Sequence, residues 1–316
     1  MTIRDLFPIL CALALLAPGC KNPHAARRLS ILVCPKGYEH SFWKTVEAGA
    51  DSAGKDLSVD VIWRGPSRET DVAGQISILE DYIQKKVDAI VLAATDEKAL
   101  IRTAQMASDE KIPLITIDSG LDSDIPLSFI ATDNVEGARR AARKLSELIG
   151  GKGDVALIPF VPGAATSLMR EEGFKQEIAK YPGIRLVATQ YSQSDVATAM
   201  SVTEDILTAH RDLAGIFAAN EASAIGVVQA LKAKGLAGRV KVVGFDASPD
   251  EIEALRSDAL QALIVQDPFK MGYLGVKCAV DVLAGRTIQK RIDTGVYVVT
   301  KDDLEEPEIQ KLLSIQ

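Results

Sequence analysis

The chain has 316 residues, 47% of them apolar and 25% charged, with a formal net charge of −7. That length suits one large α/β domain or two lobes of ordinary size. The acidic balance, with no cluster of Lys and Arg, argues against a nucleic-acid surface, and three histidines with no CxxC, HExxH or Cys/His cluster leave little for a metal site.

The opening stretch, MTIRDLFPILCALALLAPGC, is a different material from the rest. Its apolar run from Leu6 to Leu16 is too short to span a bilayer comfortably and has the length of a signal-peptide h-region. The ending LLAPGC resembles a bacterial lipobox, with Cys20 as the lipid-modified first residue of the mature chain, although Pro18 and the early Leu16 depart from that pattern. Residues 1–20 are therefore expected to be a leader of lipoprotein type and 21–28 a linker. The product is expected to be exported, either to the periplasm or anchored to the cell-envelope membrane through Cys20.

From Leu29 two periods alternate. Apolar runs of strand length occur at LSILVC, VDVIW, DAIVLAA, PLITID and LSFIAT, then at GDVALIPF, IRLVATQY, LAGIFAAN, RVKVVGF, LQALIVQ and GVYVVT. Their Val, Ile and Leu content is that of buried strands. Between most of them lie amphipathic stretches: Phe42, Val46 and Ala50 fall at i, i+4, i+8, and Ile76, Leu79 and Ile83 at i, i+3, i+7. The helix after Asn134 ends in LIGG, with Gly150 available as its C′ residue. Such alternation predicts parallel sheets covered on both faces. The runs are too many for one sheet, and the natural cut lies near Thr132. The expected fold is α/β, two Rossmann-like lobes facing across a cleft. Cys34 and Cys278, left after the leader, could be bridged, but two buried thiols are the simpler account.

Open parallel sheets bind ligands beyond the carboxyl ends of their strands. Those ends carry Glu39, His40, Phe42 and Trp43, then Asp118, Asp133, Asn220, Asp246 and Gln266, while Arg170 lies in the first turns of a helix. Asp, Asn, Arg and Gln can bond two neighbouring hydroxyls through one planar group, and an aromatic face complements the C–H face of a sugar ring. Together they describe a site for a neutral polyhydroxylated molecule. Each has a plainer role. Asp133, Asn220 and Asp246 precede helices and are good N-caps, and Arg170 beside two glutamates could be a solvated helix face. Phe42 heads the apolar stripe and reads as core; Trp43, about 100° away, reads as facing the cleft.

The segments SILVCPKGYEHSFWKTVEAGA, IPLITIDSG, ATDNVEGARRAA, REEGF, AGIFAANEASAIGVVQAL, VVGFDASPDEI and VQDPFKMGYLGVK, in that order, resemble the periplasmic sugar-binding proteins of ABC importers. The ribose-binding type is the nearest, and it shares its fold with the effector domain of lactose-repressor-type regulators. The resemblance implies two lobes joined by a three-stranded hinge (periplasmic binding protein-like I): residues 29–132 plus 267–295, and residues 133–266 plus 296–316. It also implies ligand contacts at Phe42, Trp43, Asp118, Arg170, Asn220, Asp246 and Gln266, no cofactor, a monomer, and a permease as partner. His40 and Ser41 stand where the ribose pattern has Asn and Pro, Ser119 replaces an Arg, Ala93 an Asn and Ser194 an aromatic. Glu39 and His40 are the candidate replacement contacts, and swaps of this kind change the ligand.

Competing functions fare less well. A DNA-binding regulator needs a basic helix-turn-helix where this chain has a leader. An enzyme needs a motif such as GxSxG, a P-loop or GxGxxG, and none is present. A protein of the same fold that presents its closed form to a chemoreceptor or sensor kinase is the alternative to transport.

Overall fold

The computed structural model describes residues 27–313; the leader, Cys20 and most of the linker lie outside them. The chain runs β1 (Ser30–Cys34), α1 (Ser41–Leu57), β2 (Asp60–Trp63), α2 (Val72–Gln84), β3 (Ala89–Leu92), α3 (Ile101–Asp109), β4 (Leu114–Ile117) and β5 (Ser128–Ala131). It continues with α4 (Asn134–Leu148), β6 (Gly153–Ile158), α5 (Ala165–Ile178), β7 (Ile184–Thr189), α6 (Val196–Ala209), β8 (Leu213–Ala218) and α7 (Glu221–Ala233). Then come β9 (Lys241–Phe245), α8 (Pro249–Arg256), β10 (Ala262–Val265), α9 (Pro268–Leu283), β11 (Arg291–Asp293), β12 (Tyr297–Val299), a 3-10 turn (Lys301–Glu305) and α10 (Pro307–Leu313).

Two six-stranded sheets result, ordered β11-β5-β4-β3-β1-β2 and β12-β10-β9-β8-β6-β7. Matching β1–β5 with β6–β10 makes the two orders the same, so the lobes repeat in architecture. Every pair is parallel except β10 with β12. Because both faces are covered, successive residues of a strand enter different apolar layers. In β1, Ile31 and Val33 join one layer of the first lobe, and Leu32 and Cys34 the other. The strand missed by the sequence reading is β11: Arg-Ile-Asp contains no apolar run, and it is held at the sheet edge by β5.

The chain passes between lobes three times, at β5 to α4, β10 to α9 and β11 to β12. After the second passage α9 packs on α1, β3 and β4 of the first lobe. That packing is close: a Cβ on Gly49 would strike the Phe269 carbonyl, and one on Gly272 the Val46 carbonyl. Glycine at both places lets the backbones meet and fixes α1, whose N-terminus faces the cleft. Pro268 occupies the first position of α9, after its cap Asp267, where a missing N–H is harmless. Gly150 ends α4 at φ +66, as expected of a C′ glycine. Cys34 and Cys278 are both free and buried, without a bridge.

Candidate functional site

A pocket lies between the facing carboxyl ends of the two sheets. The first lobe lines it with Lys36, His40, Phe42, Trp43, Glu69 and Asp118. The second contributes Phe160, Arg170, Asn220, Glu221 and Asp246, with Gln266 at a crossover.

The lobes place a carboxylate in the same way. Asp118 directly follows β4, and Asp246 directly follows its counterpart β9. Both have left-handed backbones, φ +53 and +92, a conformation that costs about 1–3 kcal/mol in a residue other than glycine and concentrates at functional sites. Each is pinned by its own N–H, to the Ile130 carbonyl at 3.0 Å and the Ile264 carbonyl at 3.0 Å respectively. Each also has a buried cation nearby. Lys36 Nζ is 2.9 Å from Asp118 Oδ2. Arg170 stacks its guanidinium 3.5 Å from the Phe245 ring centre. It donates from Nε to Asn134 Oδ1 (2.8 Å) and from Nη1 to the Ala219 carbonyl (2.7 Å). Asp246 in turn accepts from Gln266 Nε2 at 2.6 Å and from the Glu221 N–H at 3.0 Å.

Polar bonds also cross the cleft. Most helices carry their own N-cap side chain, as Asp71, Asp195 and Ser248 do for α2, α6 and α8, but His40 provides none for α1. The cap comes from the opposite lobe: Glu221 accepts from the Ser41 N–H at 3.0 Å and the Phe42 N–H at 3.1 Å, one on each oxygen. Ser194 is a second junction. Its hydroxyl donates to Glu69 Oε2 (2.9 Å) and accepts from Asn220 Nδ2 (2.8 Å). Its oxygen also stands 3.2 Å from His40 Nε2. Gln193 and Ser194 both adopt left-handed backbone, φ 57 and 56, to bring that hydroxyl into the cleft. Glu69 is completed by Trp43 Nε1 at 2.8 Å.

Burial sets the electrostatics. It is the largest influence on Glu69 and would raise its pKa, but Lys36, His40 and the bonds from Trp43 and Ser194 outweigh it, leaving the carboxyl below its ordinary value. Asp246 and Glu221 are pushed upward, chiefly by burial. Glu251, on α8 behind them, is raised well above its ordinary value by burial and by the charges of Asp246 and Glu221. Its Oε2 accepts from the Ser248 N–H and hydroxyl at 2.8 Å each, while Oε1 has no hydrogen-bond partner among the described residues. Arg170 is lowered by burial, against the pull of Asp246, Asp118 and Glu69.

Eight of the ten residues singled out from the sequence line this pocket. Glu39 does not; it is exposed and lines an outer recess with Arg68 and Asp195. Asp133 does not either: it is exposed, and its carboxylate caps α4 through the Glu136 N–H at 2.9 Å, the plainer role foreseen for it. Asn220 does both, capping α7 through Oδ1 while its amide faces Ser194. Both aromatics line the pocket, so the expected division of the pair into one core and one cleft residue does not hold. Trp43 is the more buried of the two, 1% exposed, and Phe42 is partly buried against it, edge to face at 4.9 Å. Trp43, Val46 and Ala50 stand at i, i+3, i+7, an equally good stripe. Arg170 is 2% exposed, not a solvated face. Lys36, Glu69, Phe160 and Glu221 were not singled out. Lys36, Phe160 and Glu221 sit at strand exits, where the same rule could have found them; Glu69, in the loop after β2, gives no such signal. No group of His, Cys, Asp and Glu able to hold a metal ion occurs among the described residues.

Two doubly wound lobes enclosing a polar, aromatic-walled pocket between their strand ends define a bilobal small-molecule-binding protein. The family model described as periplasmic binding protein domain matches residues 31–287, and the chain belongs to that family. It is 30% identical over 300 residues to the D-ribose/D-allose-binding protein of Pseudomonas aeruginosa, covering 91% of this chain and 93% of that one. Among solved structures it is similar to a carbohydrate transporter solute binding protein from Agrobacterium radiobacter in complex with D-arabinose. That match has 39% identity and a TM-score of 0.89, over 92% of this chain and 100% of the other. An ABC transporter solute binding protein from Agrobacterium vitis with bound D-fucose is 38% identical, with a TM-score of 0.87 over 90% of this chain and 99% of the other.

Proposed function

We propose that the chain is an exported solute-binding protein that captures a neutral monosaccharide or related polyol between its lobes and delivers it to an ABC-type importer. The observation that carries this reading is the paired arrangement of the pocket: a buried cation and carboxylate on each lobe, with Phe42, Trp43 and Phe160 as apolar walls. Four carboxylates, Asp118, Asp246, Glu69 and Glu221, meet only two permanent cations, Lys36 and Arg170. That excess disfavours sugar acids. The sugars bound by its relatives, D-arabinose, D-fucose, D-ribose and D-allose, are all neutral.

The protein works by hinge closure and catalyses nothing. Residues 29–132 plus 267–295 form one lobe, and residues 133–266 plus 296–316 the other. A ligand touching both shifts the population toward the closed arrangement that the permease reads. Export proceeds through the leader, with Cys20 acylated as the membrane anchor.

The test is a thermal-shift screen of the mature chain from Lys21 onward against pentoses, hexoses, deoxysugars, sugar acids and alditols. At a hundred times its Kd, a ligand stabilises by about 2.7 kcal/mol, a rise of several degrees. A shift from a neutral sugar or polyol is expected. Shifts from sugar acids or amino acids alone would refute the assignment.

A further inference from the structure

We propose that Asn134, which lies outside the pocket, is a positioning residue for sugar binding: it joins Arg170 to the first passage between the lobes and aims the guanidinium at the ligand. This rests on the sugar reading above and adds a residue that itself touches no ligand.

Asn134 is the first residue of α4, directly after the chain has crossed from β5. An asparagine at a helix start ordinarily caps it, but Asp133 does that here through the Glu136 N–H. Asn134 is nonetheless buried, 1% exposed, and a buried amide has to place its polar atoms. Its Nδ2 donates to the Thr132 carbonyl at 3.1 Å, and its Oδ1 accepts from Arg170 Nε at 2.8 Å. An amide supplies both, and the two partners fix which end faces which. The Thr132 end is itself anchored. Its carbonyl also accepts from Arg291 Nη2 in β11 at 3.0 Å, and its hydroxyl donates to the Gly295 carbonyl, on the passage that follows β11, at 3.1 Å.

Arg170 needs such a guide. Its guanidinium lies against Phe245, 3.5 Å from the ring centre, and stacking fixes the height of the plane while leaving it free to turn within that plane. The bonds to Asn134 and to the Ala219 carbonyl, 2.8 and 2.7 Å, stop the turn. A guanidinium has five N–H donors, and these bonds use two. Arg170 lines the pocket, so the others are held ready for whatever occupies it, which lowers the cost of ordering them on binding. The two helices are kept in step as well: a Cβ on Gly173, one turn beyond Arg170 in α5, would strike the Val135 carbonyl beside Asn134.

The test compares Asn134→Leu with Asn134→Asp in the mature chain. Leucine has nearly the shape of the amide and offers Arg170 no acceptor. Aspartate keeps an oxygen for Nε and loses only the donor to Thr132, whose carbonyl Arg291 still serves; an acid in the first turn also suits a helix start. Calorimetric titration uses D-arabinose, with D-fucose, D-ribose and D-allose beside it, and melting temperatures report folding. Asn134→Leu is expected to bind on the order of 10- to 100-fold more weakly than wild type, and Asn134→Asp within about threefold of it. A second reading needs no ligand. In isotope-labelled protein the Nε–H resonance of Arg170, identified by its absence from Arg170→Lys, should exchange with water about tenfold faster in Asn134→Leu than in wild type or Asn134→Asp. If the leucine variant fails to fold, Asn134→Ala, which removes the amide outright, takes its place. A leucine variant that binds like wild type, an aspartate variant as weak as the leucine one, or an unchanged Nε–H exchange overturns the assignment and leaves the sugar-binding function standing. A wild type that binds none of the four sugars overturns the sugar reading instead, and the exchange rate then decides by itself whether Asn134 holds Arg170.

Discussion

Replacing Glu221 by alanine tests whether the cross-lobe cap on α1 governs closure. In the wild type its two oxygens take the Ser41 and Phe42 N–H groups at 3.0 and 3.1 Å, and α1 has no cap of its own. Two hydrogen bonds to a charged acceptor are worth about 1.5–3 kcal/mol each before opposing terms. The opposing term is visible: burial pushes the Glu221 carboxyl upward, so part of that gain offsets desolvation. The net should resemble the loss of an ordinary N-cap, about 1–2 kcal/mol. Charged to the closed arrangement alone, this weakens apparent affinity by about 5- to 30-fold. Calorimetry gives the affinity, and fluorescence transfer between one dye on each lobe gives the closed fraction without ligand. Glu221→Gln, which keeps one good acceptor, should fall between the two. If Glu221→Ala binds within twofold of wild type with an unchanged closed fraction, the cap contributes nothing to closure and the reasoning fails.

Arg170→Ala should abolish sugar binding and also lower stability, by about 3 kcal/mol, since it leaves Asn134 Oδ1 and the Ala219 carbonyl without their donor and Phe245 without its stacked cation; denaturant titration of the ligand-free protein reads this, and an unchanged midpoint would contradict it. Glu251→Gln concerns pH. Because the folded pKa of Glu251 lies well above the ordinary 4.5, the protonated form stabilises the fold below that value, and this contribution is lost as pH rises through the folded pKa. The melting temperature of Glu251→Gln should therefore gain on wild type steadily as pH increases above about 4.5; parallel curves would show that Glu251 does not carry the proton.

The fold was legible because buried strands announce themselves as apolar runs, and eleven of the twelve strands among the described residues do so. Only β11 escaped, since an edge strand of Arg-Ile-Asp borrows its structure from β5. Most of the pocket was legible too, because topology sends ligands to strand ends. What could not be read was orientation. Glu221 sits next to Asn220 in sequence, yet nothing local says that its carboxylate reaches across to another helix. Glu69, in the charged-looking stretch GPSRET, reads as solvated, and only tertiary packing turns it toward Trp43. Lys36 is a residue type that is almost never fully buried without a partner, and its partner Asp118 lies more than eighty positions away.

The three passages between lobes also bear on the order in which the protein can be assembled. The first lobe is not finished when β5 leaves the ribosome, for the helix that covers α1 and the strand that closes the sheet edge are residues 268–283 and 291–293. Every one of β6 to β10 is synthesised before them. With glycine-mediated contact between α1 and α9 spanning more than two hundred residues, the side of α1 that meets α9 stays uncovered through most of translation. Such long-range closure is intrinsically slow, so the first lobe stays incompletely folded until the last of its pieces, residues 268–283 and 291–293, have been made.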